Sequence, residues 1–312
     1  MVIKNKFKVF DLHIDLSSFC LTNGRLDLSY YGQVGNGFFP DQVDIPRLKK
    51  GRVKTFLASI CPIIASEKGF ELPKNALVET LRQISFYIDQ KKKFKKSGID
   101  FFLSIEGAYF IKSEEDLSLI PLLKKLGVVS IAPTWNFSNA LGTGAGDFDS
   151  EKGLTKLGRK FVEVCEENGI LIDAVHASKK TFWDIIKFSK KSVFVSHTAS
   201  YDIQKHRRNL DKRQIRAVVK SGGIVGLCFI KDFIGGSSIN DAVRQLRSLV
   251  DIAGVNNVAI GSDFDGMVQE DLINGLEDIS KLPNFFEACL KSGFTKKDLE
   301  KIAWRNAAHF LL

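Results

Sequence analysis

Short apolar runs, rich in β-branched and aromatic residues, recur along the chain and alternate with longer stretches of helical period. The runs fall at 8–15, 53–60, 100–107, 128–135, 171–176, 192–197, 224–229 and 257–263. Helical periodicity covers 75–96, 114–126, 154–168, 178–190, 211–221, 240–253, 277–292 and 295–310. Ser113 is the expected N-cap of the second of these helices, and Gly169, Gly222 and Gly254 are expected to end others. Eight strands alternating with helices predict parallel crossovers in an α/β fold, and the simplest closure is a (β/α)8 TIM barrel with extra helices and long active-site loops. No GxGxxG follows the first run, which disfavours an open doubly wound sheet. Two stretches break the rhythm. Residues 18–48 are rich in Gly and Tyr without a clear period, and 136–153 carry Gly142, Gly144 and Gly146. Connections this long are expected to serve as functional loops. With no repeat, low-complexity tract or linker, the expectation is one domain over 1–312.

Composition narrows the class. Of 312 residues, 44% are hydrophobic and 26% charged, which excludes a disordered chain. The five cysteines (Cys20, Cys61, Cys165, Cys228, Cys289) lack CxxC spacing and read as reduced, buried thiols of a cytoplasmic protein. The first seven residues offer no apolar signal region, and no stretch reaches the ~20 apolar residues of a membrane span. The net charge of +9 raises nucleic-acid binding as an option. However, the main basic run, 91–96, ends a helical pattern, where cations favour the helix dipole. No RNP motif, zinc-finger spacing or arginine stripe accompanies it, so the lysines read as solvated helix faces and neither nucleic acid nor membrane is expected as a partner.

The strand ends carry the chemistry. Enzymes on this barrel place reactive groups where strands end. His13 and Asp15 close the first run, two residues apart and therefore on one face of a strand. Glu106 closes the third, Trp135 the fourth, Asp173 and His176 the fifth, His197 the sixth, and Asp263 and Asp265 the eighth. Three of the five histidines thus reach one rim. Nitrogen and oxygen donors gathered in two clusters around one carboxylate suit a pair of zinc ions, which generate hydroxide near neutral pH and polarise a carbonyl. Asp173 reads equally as a cap of the following helix. His206 and His309 read as structural.

These motifs in this order (His13-Ile14-Asp15, Ile105-Glu106-Gly107, Pro133-Thr134-Trp135-Asn136, 172–178, Ser196-His197-Thr198-Ala199, 207–210 and 261–266) resemble the membrane (renal) dipeptidase family of zinc peptidases, among the amidohydrolase-type barrels. The resemblance runs from His13 to Asn306. It implies that His13 and Asp15 hold one zinc, that His176 and His197 hold the other, and that Glu106 and a water or hydroxide bridge the two. It places Arg208 on the carboxylate of the substrate, a role suited to a planar guanidinium. It makes Asp263 the group that takes a proton from the bridging water and delivers it to the leaving amine. Trp135 stands where mammalian members carry a histidine near the peptide carbonyl, and Phe229 about where relatives carry a tyrosine. Both changes make the expected substrate pocket more apolar. The implied activity is a zinc-dependent dipeptidase acting on small dipeptides with a free C-terminal carboxylate and tolerating a D-residue there. A homodimer is implied as well. The alternatives are a related binuclear hydrolase of another small amide, lactam or ester, and a metal-holding barrel without catalysis.

Overall fold

The residue pairing of the first strand closes the sheet. The computed structural model describes residues 7–32, 40–66, 69–147 and 152–312, so the expectation for residues 1–6 lies outside the described residues, as do 33–39 and 148–151 of the two long connections. Strand β1 (Val9–Ile14) lies parallel to β2 (Val53–Ile60) on one side and to β10 (Val258–Ile260) on the other. Between β2 and the next barrel strand, β3 (Ile64–Ser66) and β4 (Gly69–Glu71) form an antiparallel hairpin that no run predicted. The remaining barrel strands are β5 (Asp100–Glu106), β6 (Val128–Ala132), β7 (Leu171–Asp173), β8 (Val193–Thr198) and β9 (Val225–Leu227). The order around the barrel is β1-β10-β9-β8-β7-β6-β5-β2. The fold is therefore the expected TIM barrel, not an open sheet.

Helices join the strands where the periodicity placed them. Asn75, Ser178 and Asp211 each accept a backbone N–H from the first turn of Ala76–Lys96, Lys179–Phe188 and Lys212–Lys220, satisfying donors that a helix start leaves free. Ser113 does not cap. Asp116 instead accepts from Lys112 and Ser113, and the segment begins as a short 3-10 turn before Leu119–Lys125. The connection 18–48 is less irregular than expected, because it overlaps the helices Leu16–Thr22 and Ile45–Gly51. The buried guanidinium of Arg25 braces it on Asp41 at 2.7 Å and Asp44 at 3.1 Å. No helix among the described residues is long and apolar enough to cross a membrane.

Two apolar layers hold the barrel. Most buried side chains lie between strands and helices. A second cluster, with Phe10, Leu12, Leu57, Phe194 and Ala259, gathers inward-facing strand residues and is packed by Trp304 and Phe310 of the C-terminal segment. Phe10 meets Trp304 at 5.8 Å and Phe194 meets Phe310 at 5.5 Å.

This inner cluster shows how two histidines reach the interior. Phe10 and Leu12 face inward, so strict alternation would turn His13 outward. The register of β1 against β2 shifts between Asp11 and Ile14. Phe194 also faces inward, and β8 shifts against β9 between Val195 and Thr198, around His197. An irregularity of this kind changes the parity of the strand and re-aims a side chain.

Candidate metal centre and substrate pocket

Six side chains converge at the C-terminal ends of the barrel strands, all buried: His13, Asp15, Glu106, His176, His197 and Asp263. Glu106 stands between two groups. Its Oε2 lies 3.5 Å from His13 Nε2, while its Oε1 lies 2.6 Å from His176 Nε2 and 3.5 Å from His197 Nε2. On the first side His13 Nε2 is 3.2 Å from Asp15 Oδ2 and 3.8 Å from Asp263 Oδ1. On the second, His197 Nε2 is 3.8 Å from Asp263 Oδ2 and 3.1 Å from His176 Nε2. Candidate ligand atoms of His13, Glu106 and His197 lie within 4.8 Å of one another, as do those of His13, Asp15 and Asp263.

Hydrogen bonds behind the site decide which nitrogens carry lone pairs. His176 Nδ1 faces Asn136 Oδ1 at 2.8 Å and donates to it, which leaves Nε2 unprotonated. Arg208 Nη2 donates to His197 Nε2 at 2.8 Å, so that nitrogen is an acceptor, and Nδ1 is left to face Ser196 Oγ at 3.1 Å. The lone pair of His176 Nε2 therefore faces Glu106 Oε1 at 2.6 Å, and a second unprotonated nitrogen, His197 Nε2, lies 3.5 Å from the same oxygen. Asp15 Oδ1 is buried without a hydrogen-bond partner. Buried acceptors facing one another repel, and a cation resolves the conflict. The donor set thus fits metal ions on the structure's own terms.

The electrostatics of His176 and His197 agree. Burial, reinforced by Arg208, pushes His176 down to about 3, and burial with His13 holds His197 well below the usual imidazole range. Metal ligation needs that neutral form. Burial also lowers His13, but the carboxylates of Glu106 and Asp15 outweigh it and hold His13 well above that range. Burial raises Glu106, but His13 and His176 outweigh it and keep the carboxylate ionised. Asp263 is pushed well above the carboxylate range, by burial first and then, against a pull from His13, by Asp15 and Glu106. His176, Asp263 and Asp265 all have φ between 58° and 69°, and only one other described non-glycine residue, Arg52, has positive φ. Backbone strain is thus concentrated at the site.

Three further carboxylates support the site, and two of them, Asp173 and Asp265, stand at strand ends in the sequence. Asp11 accepts backbone N–H groups from His13 and Ser262, tying β1 to the end of β10. Asp173 does the same between β7 and β8, accepting from Val175 and Ser196, whereas the following helix is capped by Ser178. Burial lifts both carboxyls to about 6. Asp265 accepts from the backbone of Gln42 and Val43, docking the 18–48 connection beside the metal ligands. The glycine-bearing 136–153 connection braces the other side: Ala145 N donates to His176 O, and Gly146 N to Asn136 O.

A cavity of about 220 Å³ opens over these groups, lined by Asp15, Glu106, His176, Arg208 and Asp263 and walled by Ile63, Phe70, Trp135, Ile230 and Phe233. Trp135 stacks on His176 with ring centres 5.3 Å apart. Arg208 is buried, yet among the described residues no carboxylate oxygen lies within ion-pair distance of it, and its Nε has no hydrogen-bond partner. Two expectations need correction. Phe229 does not line the cavity. It shares a face with Val225 and Leu227, which packs outward, and meets Phe285 at 5.0 Å, whereas Cys228 on the other face lies 3.6 Å from Asp263. His206, read as structural, does line it, stacked 4.5 Å from Phe233. His309 is exposed on the last helix.

A closed parallel barrel whose rim gathers three imidazoles and three carboxylates defines the class, a metal-dependent hydrolase. A model of the membrane dipeptidase family, peptidase family M19, matches residues 1–311, and the chain belongs to that family of metallo-dipeptidases. A metallo peptidase from Rhodobacter sphaeroides, solved with a phosphinate mimic of the dipeptide L-Ala-D-Ala, superposes with a TM-score of 0.85 at 25% identity, covering 98% of this chain and 99% of that one. An uncharacterised dipeptidase of Schizosaccharomyces pombe is 30% identical over 200 residues, 61% of this chain and 47% of the relative. An uncharacterised protein from the pqqA 5′ region of Klebsiella pneumoniae is 33% identical over 192 residues, 58% of this chain and 70% of the relative.

Proposed function

We propose that this metallo-dipeptidase uses two zinc ions and hydrolyses small dipeptides that carry a free C-terminal carboxylate, including those with a D-residue at that end. The observation that carries the reading is the division of the two oxygens of Glu106 between His13 on one side and His176 with His197 on the other. His13, Asp15, His176 and His197 would hold the ions with Glu106 between them, a mixed imidazole and carboxylate set that suits zinc. When bound, the metal supplies Lewis acidity and a water deprotonated near neutral pH.

The chain's own groups do the rest. Arg208, buried without a carboxylate partner among the described residues, receives the carboxylate of the substrate and fixes the peptide bond over the acids. Asp263 takes a proton as water adds to the carbonyl carbon, and gives it to the nitrogen as the carbon–nitrogen bond breaks. Trp135 shapes the wall beside His176. The likeness to a structure carrying an L-Ala-D-Ala mimic supports the D-residue.

The test is a panel of L–L and L–D dipeptides set against their C-terminal amides and against small lactams and esters. Release of free amino acids is expected to be fastest from the dipeptides, with their amides cleaved roughly 100- to 1,000-fold more slowly and the lactams and esters left intact. Turnover confined to lactams or esters would overturn the reading.

A further inference from the structure

Phe70 belongs neither to the metal centre nor to the carboxylate anchor. It sits on β4, 43% exposed, with its ring 5.1 Å from that of Trp135 at an angle of 54°, and it lines the cavity. Strand order places it relative to the anchor. Phe70 follows β2 and Arg208 follows β8, and these strands are four steps apart in either direction around the barrel. The two side chains therefore face each other across the mouth. Ile63 follows β2 and stands on the Phe70 side, Trp135 follows β6, midway between the two, and meets the Phe70 ring, and Ile230 and Phe233, which follow β9, stand on the side of Arg208.

The proposed function, on which this inference rests, puts the carboxylate of the C-terminal residue on Arg208 and the scissile bond over Glu106 and Asp263. The N-terminal residue then extends away from β8, toward β2. From this we infer that Phe70 and Trp135, with Ile63, form the subsite for the side chain of the N-terminal residue, and that this subsite selects an apolar, best an aromatic, side chain. Trp135 is already held by Phe137 at 5.3 Å and by His176, so it presents a fixed ring, and Phe70 closes an angled pair around whatever enters. Aromatic groups favour such edge-to-face contacts. The exposed position of Phe70 fits this role: a ring kept at the mouth of a polar site gains its burial when substrate is bound.

The experiment uses two panels on the zinc-loaded enzyme. One varies the N-terminal residue (Gly-Ala, Ala-Ala, Leu-Ala, Phe-Ala), and the other varies the C-terminal one (Ala-Gly, Ala-Leu, Ala-Phe). In the wild type, kcat/KM is expected to rise about tenfold or more from Gly-Ala to Phe-Ala, a discrimination typical of apolar pockets. Phe70→Ala should remove most of that rise, chiefly through KM, and Phe70→Leu should restore part of it. The second panel should change by less than about twofold, and zinc content should stay the same. Equal losses on both panels, or losses on the second panel only, overturn the inference and leave the dipeptidase reading standing. A wild type that cleaves no dipeptide overturns the reading itself, and the inference with it.

Discussion

Replacing Arg208 with methionine separates a substrate-binding guanidinium from a structural one. The side chain is buried, donates to His197 Nε2 at 2.8 Å and lies over Phe233, but it has no carboxylate partner among the described residues. A bound carboxylate would accept two charge-assisted hydrogen bonds, each worth ~1.5–3 kcal/mol. Allowing for the cost of desolvating the substrate, a net loss of ~3–4 kcal/mol is expected, or roughly a 100- to 1,000-fold fall in kcat/KM. The contact exists in both ground and transition states, so the fall should appear mainly in KM. C-terminal dipeptide amides, which carry no charge to lose, should be cleaved at rates within about threefold of the wild type on the same argument. Stability should move the other way. Removing an unpaired buried charge in favour of an apolar side chain of similar length is neutral or stabilising, so Tm should hold or rise by a few degrees. The assay is steady-state hydrolysis of matched acid and amide pairs, with thermal melts of both proteins. Equal losses on acids and amides, or a marked fall in Tm, would make Arg208 a structural residue instead.

Two other substitutions probe the supports of the site. The φ of Gly266 is compatible with any L-residue, but a Cβ there would lie 2.5 Å from Asp15 Oδ2 and 2.8 Å from Asp263 Oδ1, so Gly266→Ala should weaken metal binding ~10- to 100-fold with the fold intact; unchanged affinity in a metal titration would count against the placement of Asp15 as a ligand. Asp173 tests the strand ties. Its carboxyl rises from 3.8 to about 6 through burial, so the folded state holds the proton more tightly than the unfolded one. That stabilisation is complete below pH ~4 and is lost as pH climbs through about 6, a change of up to ~3 kcal/mol. An amide in its place cannot ionise and still accepts from Val175 and Ser196, so Asp173→Asn should gain on the wild type between pH 4 and 7 in urea melts of chelated protein. A difference independent of pH would contradict this.

Much of the fold was legible because its signal is local. Eight β-rich runs and the helices between them need no tertiary information. The candidate ligands were legible because barrel chemistry gathers at strand ends, and His13, Glu106 and His197 could be placed there by counting. What escaped depends on packing between distant segments. The register shifts that bring His13 and His197 inside arise from pairing with β2 and β9, which a single strand does not reveal. The tie made by Asp11 joins residues 251 positions apart. Phe229 was misplaced because the face of β9 that packs outward is set by the helices around it. His206 was passed over because its loop has no period, yet stacking on Phe233 carries it to the cavity. Phe70 lies on a hairpin whose strands are three residues each, too short for an alternation to register.

Metal content decides whether Glu106 lies between two metal ions. Zinc-reconstituted wild type and Glu106→Gln protein, freed of excess metal, should be compared by elemental analysis. Two zinc ions per wild-type chain and a clear loss in the variant are expected, because an amide keeps one acceptor oxygen where the proposed site would use two charged ones. A variant that still carries both ions, or a wild type that never binds more than one, would contradict that placement of Glu106.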